Sequence, residues 1–215
     1  MHKSSEKYAE IACSIGSNFI NASPTSIATN PQFVKLFNDK KLIVIGDDLM
    51  SQFGGTAFHK GIMNLMHERG IRINKSYQLD VGGGIETNNT VDEDLRALKR
   101  NVKSNTIESE LPYDVQTVSG TTDFVDFMGN SRTNYFWIEG DSFLGSKVRF
   151  DIYLRSTDGP NAGGLLLDLV RGIQYSNDLK ESGTVDELSN FGFKSTITKN
   201  DLRQSYKNFS QKYIL

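Results

Sequence analysis

The chain has 215 residues, of which 37% are hydrophobic and 23% are charged, a composition typical of a globular protein with one large domain or two small ones. Its 24 basic and 26 acidic residues give a net charge of -2, so we expect no general affinity for nucleic acid or anionic membranes. The single cysteine, Cys13, excludes an internal disulfide and a cysteine-based metal site, and no segment is apolar for the length of a membrane span. These features predict a cytoplasmic protein without a metal ion.

The first 70 residues alternate between helical and strand patterns. Tyr8–Ile15 carries apolar residues at helical spacing, and the following NFINASP is a short strand stopped by a proline. Asn30 is a candidate N-cap for the helix PQFVKLFNDK, and KLIVIG after it has the continuous apolar character of a buried strand. A third helix is predicted between Gly54 and Gly70. This alternation indicates an α/β layer with a parallel sheet.

Strands dominate after residue 70. Four segments have strand character, namely RINKSYQLDV, DVQTVS, TNYFWIEG and SKVRFDIYLR. In the last of them every second residue is apolar, as in a strand with one solvated face, and these residues are Val148, Phe150, Ile152 and Leu154. A helix over roughly Val91–Val102 interrupts the strands. A long apolar helix begins at Asn161 and is expected to pack back on the first layer, and DLRQSYKNFSQKYIL predicts a closing helix.

Two acids, Asp47 and Asp48, directly follow a predicted strand, where open α/β sheets place their ligands. A carboxylate there can accept a hydrogen bond from a ribose hydroxyl or face a cationic nicotinamide ring. The alternative is an N-cap or a turn, where acids are also common. Asp158 lies in a predicted turn before the long helix, so a capping role competes with a role in a site there as well.

The triple glycine in DVGGGIETNN allows backbone N–H groups to approach an anion, although it does not match the dinucleotide fingerprint, and a plain turn or bulge is the alternative. Lys99 and Lys103 are four residues apart on a predicted helix, so both ammonium groups leave the same face. An anion or enolate between them would explain the pair, and a solvated helix face is the alternative. His59 and His67 are too widely spaced for a metal pair and are expected at the surface or at a cap.

Taken in order, these segments resemble the myo-inositol-1-phosphate synthase family, also called inositol-3-phosphate synthases, and especially its archaeal and actinobacterial branch. The matching pieces are FINASP, GDD followed by Ser51, Gln52, Gly54, Thr56 and His59, then YQLDVGG, TDFV, IEG, and DGPNAGG with the LLLDLVR helix. The resemblance runs from about Tyr8 to the C-terminal tail. Many short matches in the correct order and spacing are more specific than any one of them.

The resemblance implies an α/β fold with a partial Rossmann-like layer, an inserted α+β catalytic and oligomerisation sheet, and a return helix. The implied boundaries are 1–70 for the remaining NAD-binding layer, 71–160 for the inserted sheet, and 161–215 for the return helix and tail. The family's N-terminal strand, GxGxxG loop and helix have no counterpart in this sequence, so we expect a separate N-terminal Rossmann half. A homo- or hetero-oligomer, a tetramer by resemblance, is implied as well.

The same resemblance implies an isomerase of inositol and phospholipid biosynthesis, which converts glucose 6-phosphate to myo-inositol phosphate by oxidation, enolisation, aldol closure and reduction with NAD. Lys99 would move protons at the C5 oxygen, and the phosphate and oxyanions would be bound by Lys103, Arg132 and Lys194. Asp158 would orient or tune a lysine. The cofactor side would be formed by Asn21, Pro24, Asp47, Asp48 and Ser51. The substrate or its phosphate would be approached by Gly83, Gly84 and Asn89.

Two positions depart from the family pattern. Met50 stands where the family has a lysine between the paired acids and the serine, and Arg132 stands where it has a lysine before a strand. Arginine keeps a cation that can bind phosphate, but it cannot serve as a general acid. The sequence leaves three functions open: the C-terminal half of a split synthase, a non-catalytic relative that binds a sugar phosphate or oligomerises, and a related NAD-dependent sugar-phosphate enzyme with another substrate.

Overall fold

The computed structural model describes residues 2–88 and 104–214 of the chain. The chain divides into two units, one formed by Met1–Met50 with Ala162–Leu215 and the other by Ser51–Asn161. The second unit is therefore an insertion into the sequence of the first. The predicted helix over Val91–Val102 lies outside the described residues.

The elements follow one another along both units. In chain order they are α1 (His2–Ser14), β1 (Phe19–Ile20), α2 (Pro31–Asp39), β2 (Val44–Ile45), α3 (Gly55–Glu68), β3 (Arg72–Gly82), α4 (Ile85–Asn88), β4 (Gln116–Phe124), β5 (Ser131–Asp141), β6 (Lys147–Thr157), α5 (Asp158–Asp178), α6 (Asp186–Gly192) and α7 (Leu202–Tyr213). Residues 104–108 are also helical, and short 3₁₀ turns cover Asp126–Met128 and Phe143–Gly145.

The first unit has three layers, with a small sheet between helices. β1 and β2 pair in parallel. Because side chains alternate along a strand, Val44 of β2 packs on one face with α1 and with Phe37 of α2. Its neighbour Ile45 packs on the other face with Leu169 of α5. Helices on both faces explain why this strand is continuously apolar.

The local signals at the helix ends of this unit are partly confirmed. Asn30 caps α2, because its side chain accepts a hydrogen bond from the Gln32 N–H, and Asp201 caps α7 in the same way. The sequence does not predict α6, whose seven residues are too few for a clear apolar period. The long helix α5 begins at Asp158 and not at Asn161, so the predicted turn at Asp158 is wrong.

The second unit is built on a four-stranded sheet of order β4-β3-β5-β6, in which all four predicted strands are present. β3 pairs in parallel with β4 and antiparallel with β5, and β5 pairs antiparallel with β6. α3 covers one face through Met63 and Met66, which pack with Ile73 and Ile138. Because α3 belongs with this sheet, the boundary expected at residue 70 falls inside the second unit.

The fold is therefore α/β, with a partial Rossmann-like layer, an inserted α+β sheet and a return helix that packs on the layer. Within residues 2–88 and 104–214, none of the helices combines the length and apolar character needed to span a membrane.

Candidate functional site

The carboxyl ends of β1 and β2 meet at one edge of the first unit's sheet, because the two strands are parallel. Asn21 follows β1 and Asp47 follows β2, and Asn21 Nδ2 donates a hydrogen bond to Asp47 Oδ1 over 2.6 Å. The Asp47 carboxylate also accepts from the backbone N–H groups of Ile27, Ala28 and Thr29 and from the Thr29 hydroxyl, at 2.8 to 3.1 Å. Asp47 is fully buried.

These contacts correct the role expected for Asp47. Its two oxygens are occupied by five donors from the loop of residues 21–29, so the carboxylate anchors that loop and does not face a cofactor. Asn21 has a similar structural role, since its Nδ2 also donates to the Thr25 carbonyl over 2.6 Å. Pro24 lies in the same loop and is half-buried. The group available to a ligand at this edge of the sheet is therefore the anchored loop and not the buried Asp47 carboxylate.

Asp48 and Lys194 form an ion pair, although 146 residues separate them in the chain. Lys194 Nζ lies 3.0 Å from Asp48 Oδ1, and the two side chains are 13% and 17% exposed. Their backbones are paired too, because the Lys194 N–H donates to the Asp48 carbonyl and Ser195 exchanges two hydrogen bonds with Asp47. The fold therefore brings together two residues that the sequence assigned to the cofactor and to the substrate.

The next two residues continue the strand-end segment. Met50, which replaces a lysine of the family, is 4% exposed, and its N–H donates to the Gly192 carbonyl. A lysine at this position would have a buried ammonium group, which is unfavourable without a partner. Methionine avoids this cost because its side chain is apolar. Ser51 is half-buried and sits against the first turn of α3, since a Cβ added to Gly54 would lie 2.4 Å from Ser51 Oγ.

Arg132 and Asp158 form the ion pair of the second unit. Arg132 Nε lies 2.8 Å from Asp158 Oδ2, and Arg132 Nη2 donates to the Thr87 hydroxyl over 3.1 Å. Arg132 is near the start of β5, and Asp158 directly follows β6, which is the antiparallel partner of β5. The Asp158 N–H donates to the Asn130 carbonyl and holds this end of the hairpin. The cation that the described residues place beside Asp158 is thus an arginine.

The glycine turn after β3 lies next to this pair. A Cβ added to Gly83 would lie 2.5 Å from the Gly129 nitrogen and 2.6 Å from the Val125 oxygen, so only glycine fits against that turn. The Gly83 N–H donates to the Ser131 carbonyl, and the Gly84 carbonyl accepts hydrogen bonds at the start of α4. Close packing therefore explains Gly83 better than the expected approach to a phosphate. The predicted site residues Asn89, Lys99 and Lys103 lie outside the described residues.

A row of buried polar side chains lies between α3 and the large sheet. His59 Nε2 lies 3.1 Å from Ser76 Oγ, and His59 Nδ1 lies 3.2 Å from Gln78 Oε1. Gln78 Nε2 donates to Asp80 Oδ1 over 2.7 Å, and Asn134 Nδ2 donates to the same oxygen over 2.5 Å. All five residues are buried, with at most 3% of their surface exposed. This hydrogen-bonded row fixes the inner face of β3 and β5.

The expected position of His59 at the surface or at a cap is wrong, because the residue is fully buried. Burial lowers the pKa of His59 from 6.5 to about 4, against the smaller opposing effects of the Gln78 hydrogen bond and the Asp80 charge. The imidazole is therefore neutral at pH 7. The sequence carried one signal for this row, since Ser76, Gln78 and Asp80 recur at every second position of a predicted strand.

The row of polar side chains leads toward the Arg132 ion pair. Asp80 is opposite Asn134 in the register of β3 and β5, and Gly82 is opposite Arg132 two residues further on. Strand alternation puts Arg132 on the same face as Asn134.

A separate polar cleft of about 600 Å³ beside α6 and α7 contains none of the predicted site residues. Among residues 2–88 and 104–214, no three His, Cys, Asp or Glu side chains are grouped to hold a metal ion.

Comparison with known proteins identifies the family. A family model described as myo-inositol-1-phosphate synthase matches residues 54–159. An inositol-3-phosphate synthase of Corynebacterium glutamicum is 31% identical over 196 residues, which are 87% of this chain and 54% of that protein. The chain belongs to the myo-inositol-1-phosphate synthase family. The resemblance seen in the sequence motifs is thereby confirmed.

Solved structures agree with the family assignment. A myo-inositol-1-phosphate synthase-related protein from Thermotoga maritima is 28% identical, with a TM-score of 0.81 over 95% of this chain and 55% of that one. An inositol-3-phosphate synthase from Caenorhabditis elegans is 18% identical and shares the fold, with a TM-score of 0.83 over 96% of this chain and 44% of that one. The chain spans about half the length of the curated relatives it matches.

Proposed function

We propose that this chain forms the C-terminal half of an inositol-3-phosphate synthase-like enzyme, an isomerase that cyclises glucose 6-phosphate to myo-inositol phosphate with NAD. The part of the family's proteins that this chain does not match would be supplied by a Rossmann-like N-terminal half. The observation that supports the proposal most strongly is the pairing of predicted site residues, Asp48 with Lys194 and Arg132 with Asp158. Each pair contains one cation, which could bind an anionic substrate, and one carboxylate that holds this cation in place.

Lys194 would bind an oxygen that becomes negative during the reaction. Its ammonium is tethered by Asp48 and by the backbone pairing of the two segments, so little reorganisation is needed when a substrate oxygen arrives. A lysine can also donate a proton to that oxygen. Asp48 orients the ammonium in this scheme, and it shares the strand edge with the loop that contains Pro24.

Arg132 would bind the phosphate group. Its guanidinium is oriented by Asp158 and by the Thr87 hydroxyl, which leaves the planar donor fork in one position. Because arginine does not give up its proton, we assign it binding and not proton transfer. We assign proton transfer at the C5 oxygen to Lys99 and further anion binding to Lys103, as the family resemblance implies.

The residues at the carboxyl edge of β1 and β2 fit one side of an NAD site. Asp47 and Asn21 hold the loop between them, and Pro24, Asp48 and Ser51 remain partly accessible. They would hold the nicotinamide end of the cofactor. When bound, NAD would supply the acceptance and return of a hydride at C5 of the sugar. The chain's own part is to place cations where oxygen becomes negative.

We also propose that the outer face of the large sheet assembles identical subunits. Aromatic side chains line it, with Tyr77 stacked on Trp137 at 5.5 Å and Tyr135 against Tyr153 at 4.9 Å between ring centroids. Tyr153 is 72% exposed, and Arg149 lies over the Trp137 ring. Exposed aromatic rings with interspersed charges are typical of protein interfaces.

The test is reconstitution of the enzyme with the polypeptide of the same genome that carries the family's N-terminal half. Inositol phosphate formed from glucose 6-phosphate would be measured for the wild type and for Lys194→Met and Arg132→Met. Each variant should lose about 100-fold or more of kcat/KM, because a preorganised cation at the developing charge is removed.

Exposed residues of the same types serve as matched controls. Lys207→Met and Arg171→Met alter solvated side chains in α7 and α5 and should keep wild-type turnover. Equal activity of the site variants and the controls would overturn the assignment of these cations. Full activity of the chain without any bound NAD would overturn the proposed reaction.

A further inference from the structure

A buried ion pair connects α3 to the segment of residues 104–111. Lys60 Nζ lies 3.0 Å from Glu110 Oε2, and the two side chains are 8% and 0% exposed. Asn64 follows Lys60 by about one turn of α3, and its Nδ2 donates to Glu110 Oε1 over 2.9 Å. One face of α3 therefore holds both oxygens of a fully buried carboxylate.

Apolar side chains also pack this segment on α3. Ile107 is fully buried and Leu111 is 8% exposed, and both belong to the cluster that contains Met63 and Met66 of α3. Such packing is favourable but has no preferred direction, and methionine side chains adapt readily to a shifted neighbour. The apolar contacts therefore hold the segment on the helix without fixing its position along the helix.

A buried ion pair adds little net stability to such an interface. The cost of removing both charges from water offsets most of their attraction, so an apolar pair of similar size is often at least as stable. The hydrogen bonds of the pair are directional, however, and a displaced segment would leave two buried charges without partners. Stability alone thus does not account for Lys60 and Glu110 in this apolar interface, whereas control of the segment's position does.

The first residue of the segment is anchored as well. Ser104 is 9% exposed, and its Oγ accepts a hydrogen bond from the Ser119 N–H over 3.1 Å. Ser119 belongs to β4, which the strand order of the described sheet places at an edge. Lys103, to which the proposed function assigns anion binding, is joined to Ser104 by a peptide bond. The anchors at Glu110 and Ser104 therefore fix the residue from which the chain continues to this lysine.

We infer that the Lys60–Glu110 ion pair sets the register of residues 104–111 on α3 and thereby positions Lys103 for the reaction. Both residues of the pair are buried, so they act through the segment and not on a substrate. A displacement of about 1 Å at a reacting group can lower a rate about 100-fold, so a small shift of the segment is sufficient. The inference rests on the proposed function, because it concerns the same site.

The test replaces the ion pair by an apolar pair, Lys60→Met with Glu110→Leu, in the complex with the N-terminal half from the same genome. This double variant should resist urea about as well as the wild type does. Its kcat/KM for inositol phosphate formation should nevertheless fall about 10- to 100-fold. Lys60→Arg keeps the cation and its donors, so it should retain activity close to that of the wild type.

Ile107→Val is the matched control for packing. It removes one methylene group from the apolar contact with α3 and keeps both directional anchors, so it should unfold at a lower urea concentration and keep the wild-type kcat/KM. Amide exchange of Ser119, followed by NMR in this chain alone, reports the position of the segment without any activity. Exchange should be about 10-fold faster or more in the double variant and unchanged in Ile107→Val and Lys60→Arg.

A stable double variant with the kcat/KM and the Ser119 exchange of the wild type would overturn the inference. A loss of kcat/KM in Ile107→Val as large as that in the double variant would also overturn it, because packing alone would then explain the effect. If the double variant does not fold, Lys60→Leu with Glu110→Met replaces it. A wild-type complex that forms no inositol phosphate would refute the proposed function, and Ser119 exchange would then still decide whether the pair sets the register.

Discussion

Lowering the pH should destabilise the chain through His59. The imidazole is fully buried between Ser76 and Gln78, and its pKa is lowered to about 4. In the unfolded chain the residue regains a pKa near 6.5. Between these two values the unfolded state binds more protons than the folded state, so the free energy of unfolding must fall as the pH falls.

The magnitude follows from the size of the pKa difference. Each unit of difference corresponds to about 1.4 kcal/mol once the unfolded histidine is protonated and the folded one is not. Integrated from pH 7 to pH 5, His59 should remove about 2 kcal/mol from the free energy of unfolding. Most of this loss occurs below the unfolded pKa, in a range where most carboxylates are still ionised.

Urea unfolding at several pH values would measure this effect for the wild type, for His59→Gln and for His67→Gln. Glutamine keeps a donor and an acceptor for Ser76 and Gln78 but cannot titrate, so the dependence between pH 7 and pH 5 should weaken by about 2 kcal/mol. His67 is exposed on the same helix, and its variant should keep the wild-type slope. If His59→Gln also keeps that slope, the burial argument is refuted; should it fail to fold, His59→Asn replaces it.

Three further substitutions test the structural assignments by urea unfolding. Asp47→Asn should lower the free energy of unfolding by about 2–4 kcal/mol. The amide nitrogen of asparagine is a donor, and it would face backbone N–H groups that donate to a carboxylate oxygen in the wild type. Lys60→Met should cost about 3–5 kcal/mol, because it removes the ammonium 3.0 Å from the buried Glu110 carboxylate, and adding Glu110→Leu should recover most of the loss. Gly83→Ala should cost about 1–3 kcal/mol through its clash with the neighbouring turn.

Each of these predictions has an outcome that contradicts it. Asp47→Asn at wild-type stability would mean that the loop of residues 21–29 is held by something else. A double variant as unstable as Lys60→Met alone would show that the loss does not come from the buried carboxylate. Gly163 has nothing within 4 Å of an added Cβ, so Gly163→Ala is the control for Gly83→Ala and should not destabilise.

Much of the fold follows from local patterns in the sequence. The Asn30 cap and the continuous apolar run of β2 are short-range signals, and both are confirmed. The packing of α3 was not predictable in this way, because a helix with apolar residues can cover either sheet and only tertiary contacts decide between them. The same holds for α1, in which Tyr8, Ile11 and Ile15 are exposed. Their helical spacing predicts a helix but does not show which of its faces is buried.

The site shows a similar division. Family motifs pointed to Asp48, Lys194, Arg132 and Asp158 as candidate site residues, and the structure shows which of them form ion pairs. Pairing across 146 residues has no local signature. Asp47 looked equivalent to Asp48 in sequence, yet beyond the end of β2 the Asp47 carboxylate turns into the loop of residues 21–29 and the Asp48 carboxylate turns toward Lys194.

Phosphorus NMR of glucose 6-phosphate incubated with this chain and the N-terminal half together would test the proposed reaction. The substrate resonance should be replaced by that of inositol phosphate, neither half alone should produce this change, and the complex should retain NAD after turnover. A complex that binds no NAD and leaves glucose 6-phosphate unchanged would refute the proposed function.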